Sequence, residues 1–249
     1  MAALDPGAIR SSFIALLASR CKRRSFSMEE RADLIDSIRN HNLAIFTWHA
    51  KCTMLTGLPG PAYTVPPPRR MGGRVLYLDL DGCLHPDAVF EKGSGPFIFG
   101  YPDHSLFEHA RLLEDALAPY PRVRIVLSTS WVRRYRGSIR RVSRGLTPAL
   151  RERVVGATFH SRMDLSVFDD APRGFQVWSD VLRRKPETWL ALDDDVENWP
   201  RWCEDRLVRT DPIFGISAPE ALAQLKEKLY EMDGRRCSDR TLPRAYELY

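Results

Sequence analysis

The chain of 249 residues is 44% hydrophobic and 28% charged, as is usual for a soluble globular protein with a substantial core. No apolar run approaches the roughly 18 to 20 residues of a membrane span, so we expect no membrane association. The net charge of +5 favours anionic partners without identifying one. The 5 cysteines are scattered without CxxC spacing, which indicates free thiols and a cytoplasmic location instead of a disulfide framework or a zinc site.

The first part of the chain differs in composition from the rest. Residues 1–56 carry helical apolar stripes and predict a helical N-terminal extension. Within them, Ser27 and Glu30 have the spacing of a capping box. Residues 57–73, GLPGPAYTVPPPRRMGG, are too rich in Pro and Gly for a regular helix or a central strand. We therefore predict a linker at 57–73, a main domain at 74–233 and a tail at 234–249.

The main domain alternates strand-like and helix-like segments, which predicts an α/β fold with a doubly wound parallel sheet. The predicted strands are Val75–Asp79, Val123–Ser128, Val154–Phe159, Trp189–Asp193 and Leu207–Thr210. The predicted helices are His104–Leu117, Gly174–Arg184 and Ala218–Met232.

Two carboxylates follow the first predicted strand. Asp79 and Asp81 come directly after the apolar run VLYL, and Gly82 follows them. Parallel α/β sheets bind their ligands at the carboxyl ends of the strands. Two acids at this edge can hold a divalent cation, and their hard oxygen atoms suit Mg²⁺. The alternative is an ordinary acidic turn after a strand.

Four segments in order resemble the motifs of the haloacid dehalogenase (HAD) superfamily of phosphatases and phosphotransferases. These are the apolar run with Asp-x-Asp-Gly-x-Leu at 75–84, a strand ending in Ser128, the basic residue Lys185, and the acidic triplet 193–195. Segments 78–86, 127–131 and 189–195, and Arg173 with the helix after it, are most similar to the HAD domain type of Swiss Army Knife RNA repair proteins. The resemblance covers roughly residues 73–230 and implies a HAD-like Rossmannoid sheet with helices on both faces.

The resemblance implies a Mg²⁺-dependent phosphohydrolase that acts through an aspartyl-phosphate. Asp79 would be the nucleophile, and Asp81 the general acid and base. The implied metal ligands are Asp79, the backbone carbonyl of Asp81, Asp193 and Asp194. The implied phosphate-binding residues are Ser128, Thr129 and Lys185. Two alternatives remain: the acidic triplet can be a solvated loop or helix cap, and Lys185 can simply end a basic helix.

Substrate choice depends on what surrounds this edge. The spacing between the motifs leaves little room for a cap domain, and an open site admits bulky substrates such as nucleic-acid ends or phosphoproteins. Six arginines crowd the segment after the second motif, with Trp131 and Tyr135 interleaved: Arg133, Arg134, Arg136, Arg140, Arg141 and Arg144. The pattern suits polyanion binding, which we predict first for Arg133, Arg134 and Arg136. The alternative is a solvated helix face.

The leading substrate is therefore a phosphate at a nucleic-acid or nucleotide end. The alternatives are small-molecule or protein phosphatase activity, and a non-catalytic nucleic-acid-binding protein of HAD fold. His85 is the one histidine beside the first motif, where it could touch substrate. The sequence does not distinguish hydrolysis from transfer to another acceptor, and it leaves the oligomeric state and the role of residues 1–72 open.

Overall fold

A computed structural model describes residues 68–93, 95–161, 163, 168–169, 171–197, 199 and 201–234. The predicted N-terminal helices, most of the linker and nearly all of the C-terminal tail lie outside these residues. Residues 68–73, the end of the predicted linker, form bends without helix or strand. Among the described helices, none has the length and apolarity that a membrane span requires.

Strands and helices alternate along the described chain. The strands are β1 (Arg74–Leu78), β2 (Val89–Lys92), β3 (Gly95–Ile98), β4 (Val123–Leu127), β5 (Val154–Ala157), β6 (Thr188–Asp193) and β7 (Leu207–Arg209). The helices are α1 (Ala110–Leu117), α2 (Ser130–Arg134), α3 (Ile139–Val142), α4 (Pro148–Arg153), α5 (Arg173–Arg184) and α6 (Pro219–Met232). Short 3₁₀ turns occupy Ser143–Gly145 and Arg201–Arg206.

Five of the strands form one parallel sheet in the order β5-β4-β1-β6-β7. The first motif therefore follows the central strand, as the predicted doubly wound fold requires. All five strands predicted from apolar runs are present, with ends that differ by one or two residues. The helix predicted from His104 begins only at Ala110, because residues 106–109 form turns in which Phe107 has a φ of 62°.

The alternating side chains of the central strands build two cores. Leu76 and Leu78 of β1 pack on one face with Leu113 of α1 and Leu225 of α6. Val75 and Tyr77 point to the other face, where Val177 and Val181 of α5 cover them. Because both faces are covered, the strands consist of nearly continuous apolar residues, which explains why the sequence revealed them.

The segment between β1 and α1 carries the antiparallel hairpin of β2 and β3. Its two strands are four residues each. Within the described residues, no larger insertion lies between β1 and β4. This agrees with the prediction of little or no cap.

Candidate active site

The carboxyl edge of the sheet brings the predicted acidic residues together. The register pairs Leu78 with both Leu127 and Leu192, so the next residue of each strand comes to the same edge. The N–H of Asp79 donates to the carbonyl of Leu192 at 3.0 Å, and the N–H of Ser128 donates to the carbonyl of Leu78 at 2.7 Å. These bonds continue the ladder past the strand ends and fix Asp79 beside its neighbours.

Asp79 is almost completely buried, and its carboxylate is held on both oxygens. Oδ1 accepts the backbone N–H of Leu80 at 2.7 Å, and Oδ2 accepts Nη2 of Arg173 at 3.1 Å. Burial raises the pKa of Asp79 to about 7; Arg173 lowers it and Asp81 raises it further. This carboxyl is therefore fixed in orientation and poised near neutrality, as a functional carboxylate often is.

Asp193 and Asp194 complete an acidic cluster with Asp79. One carboxylate oxygen of each lies within 4.8 Å of the others. Burial is the largest cause of the raised pKa of both Asp193 and Asp194, which for Asp194 reaches about 6. Oδ2 of Asp193 is buried and makes no hydrogen bond within the described part of the chain. Besides the guanidinium of Arg173 at 3.5 Å, that oxygen has room for a further partner, and three carboxylates with hard oxygen donors fit a small divalent cation.

The carboxylate of Asp81 is not one of these three, and it is held by two aromatic rings. Nε1–H of Trp131 reaches Oδ1 at 2.9 Å and Oδ2 at 2.8 Å. Nε2 of His85 lies 3.0 Å from Oδ1. Because Nδ1 of His85 accepts the N–H of Phe107 at 3.3 Å, the proton of a neutral ring is on Nε2, facing Asp81. His85 is fully buried, and its contact at the site is with Asp81.

Gly82 follows Asp81 in a tight turn that packs against Asp194 of the acidic triplet. Its φ of +63° lies in the left-handed region, which favours glycine. A Cβ at this position would lie 2.3 Å from the carboxylate of Asp194, so a side chain would displace that carboxylate. The glycine of the motif is therefore required both by the turn and by the close approach of Asp194.

Arg173 is the cation at the centre of the site. Its guanidinium donates to the carbonyl of Ser128 at 2.6 Å and to Oδ2 of Asp79, and its Nε lies 3.5 Å from Oδ2 of Asp193. The surrounding carboxylates raise its pKa against the opposing effect of burial, so the guanidinium stays charged. Sequence inspection noted Arg173 only as part of the resemblance and gave the cationic role to another residue.

That other residue, Lys185, lies at the opposite edge of the sheet. It follows the last residue of α5 in a left-handed conformation, and it precedes β6, which begins at Thr188. The carbonyl of Arg184 accepts the N–H of Gly72, just before β1 begins. Lys185 is exposed at this amino edge. Its location does not fit the phosphate-binding role predicted for it, because the acidic cluster lies beyond the other end of the same strands.

The two predicted hydroxyl residues differ in their surroundings. Oγ1 of Thr129 accepts the N–H of Trp131 at 3.4 Å and caps α2. Oγ of Ser128 is buried and makes no hydrogen bond to any described residue. Since Arg173 bridges the backbone of Ser128 to Asp79, Ser128 is the hydroxyl that remains available at the site.

The arginines after the second motif do not form one cationic surface. Arg133 pairs with Asp169 at 2.6 Å, and Arg134 pairs with Glu91 of β2. Arg136 is exposed, with a φ of 53°. Two of the three arginines predicted to bind a polyanion are therefore already neutralised by carboxylates, which weakens that prediction for this segment.

Comparison with known families agrees with this geometry. The family model described as HAD domain in Swiss Army Knife RNA repair proteins matches residues 75–221. The match contains the whole five-stranded sheet except the first residue of β1, together with the acidic cluster. The fold and site define a HAD-type phosphohydrolase domain, and the chain belongs to the family of that model. No curated protein and no solved structure matched the chain.

Proposed function

We propose that the chain is a Mg²⁺-dependent phosphomonoesterase in which Asp79 attacks phosphorus and carries the phosphoryl group. The observation that supports this most is the convergence of the acidic cluster with Arg173 at the end of the central strand. Asp79 belongs to the acidic cluster and also accepts a hydrogen bond from the guanidinium of Arg173. A nucleophile beside a cation is what phosphoryl transfer requires.

Asp79 and Asp81 divide the chemistry between them. A carboxylate oxygen of Asp79 forms a bond to phosphorus, and the bond from phosphorus to the leaving oxygen breaks while Asp81 gives that oxygen a proton. Asp81 then takes a proton from water, which attacks the same phosphorus and releases phosphate from Asp79. Trp131 and His85 contact the carboxylate of Asp81 and would fix its orientation.

The carboxylates of Asp79, Asp193 and Asp194 would hold the cation, and the resemblance adds the carbonyl of Asp81. Mg²⁺, when bound there, supplies positive charge to the phosphate oxygens and keeps the crowded carboxylates ionised. The buried oxygen of Asp193 without a hydrogen bond supports this assignment.

Arg173 and Ser128 would bind the phosphoryl oxygens. A guanidinium presents several donors in a fixed plane, so Arg173 can keep one contact to Asp79 and turn another toward substrate. The buried hydroxyl of Ser128 has its donor free of the described residues. We assign to Arg173 the phosphate-binding role first predicted for Lys185.

Phosphate release from an aryl phosphate tests the proposal. Turnover should require Mg²⁺, should stop with EDTA, and should be lost in Asp79→Asn while the variant keeps its fold. Undiminished turnover by Asp79→Asn would refute the nucleophile assignment. Turnover that persists in EDTA would refute the metal requirement.

A nucleic-acid end is the substrate that we favour. The described site has no cap beyond the β2–β3 hairpin, which suits a bulky substrate, and the family description refers to RNA repair proteins. Hydrolysis of 3′- or 5′-phosphorylated oligonucleotides should therefore exceed hydrolysis of small phosphate esters in kcat/KM. The reverse preference would favour a small-molecule phosphatase.

A further inference from the structure

A pocket at the outer edge of the sheet gathers arginines that the active site does not use. It has a volume of about 670 Å³ and is lined by α3, the 3₁₀ turn after it, α4 and the first half of β5. Its charged lining residues are all arginines, namely Arg69, Arg140, Arg144 and Arg151. Ser143, Ile139, Val154 and Val155 are the other described lining residues, so the described part of the lining includes neither a carboxylate nor an aromatic ring.

The charge of this pocket is not compensated within the described part of the chain. The salt bridges there involve Arg133 and Arg134 of the same segment but none of the four pocket arginines. Four exposed guanidinium groups line one concavity, where a bound anion would relieve their mutual repulsion. The sequence concentrates them even so, on three separate segments that the fold brings together.

We propose that this pocket binds successive phosphates of a single-stranded nucleic acid. The volume is in the range of about 300–1,000 Å³ typical of ligand sites. Guanidinium forks match phosphate oxygens. The described lining residues with polar side chains are the four arginines and Ser143, so charged donors predominate and the phosphates of a backbone are their best partners. The pocket is partly open to solvent, so we expect a flexible single strand to follow its concave surface more closely than a rigid duplex does.

The pocket lies at a distance that one strand can span to the acidic cluster. β5 is two strands from β1, which is about 10 Å across the sheet. Val154 is in register with Ile125 and hence with Leu76, three residues before Asp79, which is about 10 Å along the strand. A phosphorylated end at Asp79 would thus leave the following nucleotides near the arginines. This link to the cluster rests on the proposed function, but binding in the pocket does not.

Binding is best measured in the full-length Asp79→Asn protein, which separates it from turnover. Fluorescence anisotropy would follow an unphosphorylated, labelled RNA of about ten nucleotides between about 50 and 200 mM salt. The variant Arg140→Gln/Arg144→Gln/Arg151→Gln should bind at least tenfold more weakly at the lower salt. Its log–log salt slope should be smaller in magnitude by about 2, because each phosphate that an arginine neutralises on a single strand contributes about 0.7 to the slope.

A charge-matched control removes three positive charges outside the pocket, at two exposed positions and one half-buried position, as Arg111→Gln/Arg206→Gln/Lys226→Gln. This control should bind RNA with an affinity and a salt slope within about twofold of those of the Asp79→Asn protein with an intact pocket. A third variant, with Lys at the three pocket positions, should preserve most of the binding. The single variant Arg144→Gln, with a slope change of about 0.7, gives the same test with less effect on folding.

The inference is overturned if the pocket variant and the control variant bind RNA equally. It is also overturned if the Asp79→Asn protein with an intact pocket does not bind RNA. It is also overturned if pyrophosphate binds in a pocket-dependent way while the strand does not, since the site would then be for a free polyphosphate. For turnover, the pocket variant is made with the native Asp79. Its rate of aryl phosphate hydrolysis should equal that of the wild-type protein. If the wild-type protein hydrolyses no phosphate ester, the proposed function is refuted, but the result of the binding measurement still holds.

Discussion

Replacing Arg173 with Ala should abolish most of the phosphatase activity. The guanidinium makes a 2.6 Å bond to the carbonyl of Ser128 and a 3.1 Å bond to Asp79, and lies 3.5 Å from Asp193. Alanine removes the cation that orients the nucleophile and, in our proposal, receives the phosphoryl oxygens. Removing one such preorganised donor costs about 10²- to 10³-fold in kcat, or roughly 3–4 kcal/mol of transition-state stabilisation.

Arg173→Lys should recover only part of this loss. A lysine keeps the charge, but a single ammonium cannot replace the planar fork that contacts several groups at once. The inhibition constant for inorganic phosphate should rise in both variants, because phosphate binds where the transferred group does. A purely structural role would lower the melting temperature without a selective change in phosphate inhibition.

Lys185→Ala is the matched control in a steady-state assay with an aryl phosphate and Mg²⁺. The lysine is exposed at the other edge of the sheet, so kcat and KM should stay within about twofold of wild type, and stability within about 0.5 kcal/mol. The phosphate-binding assignment is refuted if Lys185→Ala loses activity as Arg173→Ala is expected to, or if Arg173→Ala keeps more than about a tenth of wild-type kcat.

Three further predictions concern the turn, the metal and the core. Gly82→Ala should lower Mg²⁺ affinity by at least tenfold in calorimetric titration, because its Cβ would meet the carboxylate of Asp194 at 2.3 Å; unchanged affinity contradicts this. Saturating Mg²⁺ should raise the melting temperature of the wild type but not of Asp193→Asn, and an equal rise in both would refute the ligand assignment. Asp180→Asn should cost about 3–5 kcal/mol in urea unfolding, because it leaves the buried Arg184 without its carboxylate partner at 2.7 Å; a loss below about 1 kcal/mol would contradict this.

The five strands of the parallel sheet were accessible from sequence for a physical reason. In a parallel sheet covered on both faces, most strand residues are apolar, so runs such as Val75 to Leu78 stand out. Chemistry-bearing residues follow these runs directly because the strand ends define the site. Asp79 and Asp193 were therefore predictable together, and the structure brings their carboxylates into one cluster.

The phosphate-binding cation was predicted to be Lys185, and we now assign this role to Arg173. The difference has a simple geometric reason. The helix before a parallel strand runs in the opposite direction to that strand, so its last residue lies at the amino edge and its first at the carboxyl edge. Lys185 precedes Thr188 by three positions and had to lie far from the site, whereas Arg173 begins the helix. For the predicted helix 174–184, this rule of direction indicates Arg173, the residue just before the helix, as the cation at the carboxyl edge.

Partners of side chains could not be predicted from local sequence. Arg133 and Arg140 belong to one basic segment and look alike in the sequence. Asp169 neutralises Arg133 from a distant part of the chain, while Arg140 faces the pocket that Arg69 and Arg151 also line. Such differences depend on long-range contacts, and the same holds for the bond from Trp131 to Asp81.

The central claim is that Asp79 carries the phosphoryl group. Rapid acid quenching during turnover of an aryl phosphate, followed by peptide mass spectrometry, tests it most directly. We predict a phosphoryl adduct on the peptide that contains Asp79, sensitive to hydroxylamine and missing in EDTA and in Asp79→Asn. A protein that turns over in Mg²⁺ with the adduct on another residue, or whose Asp79→Asn variant still hydrolyses the ester at the wild-type rate, would contradict the account.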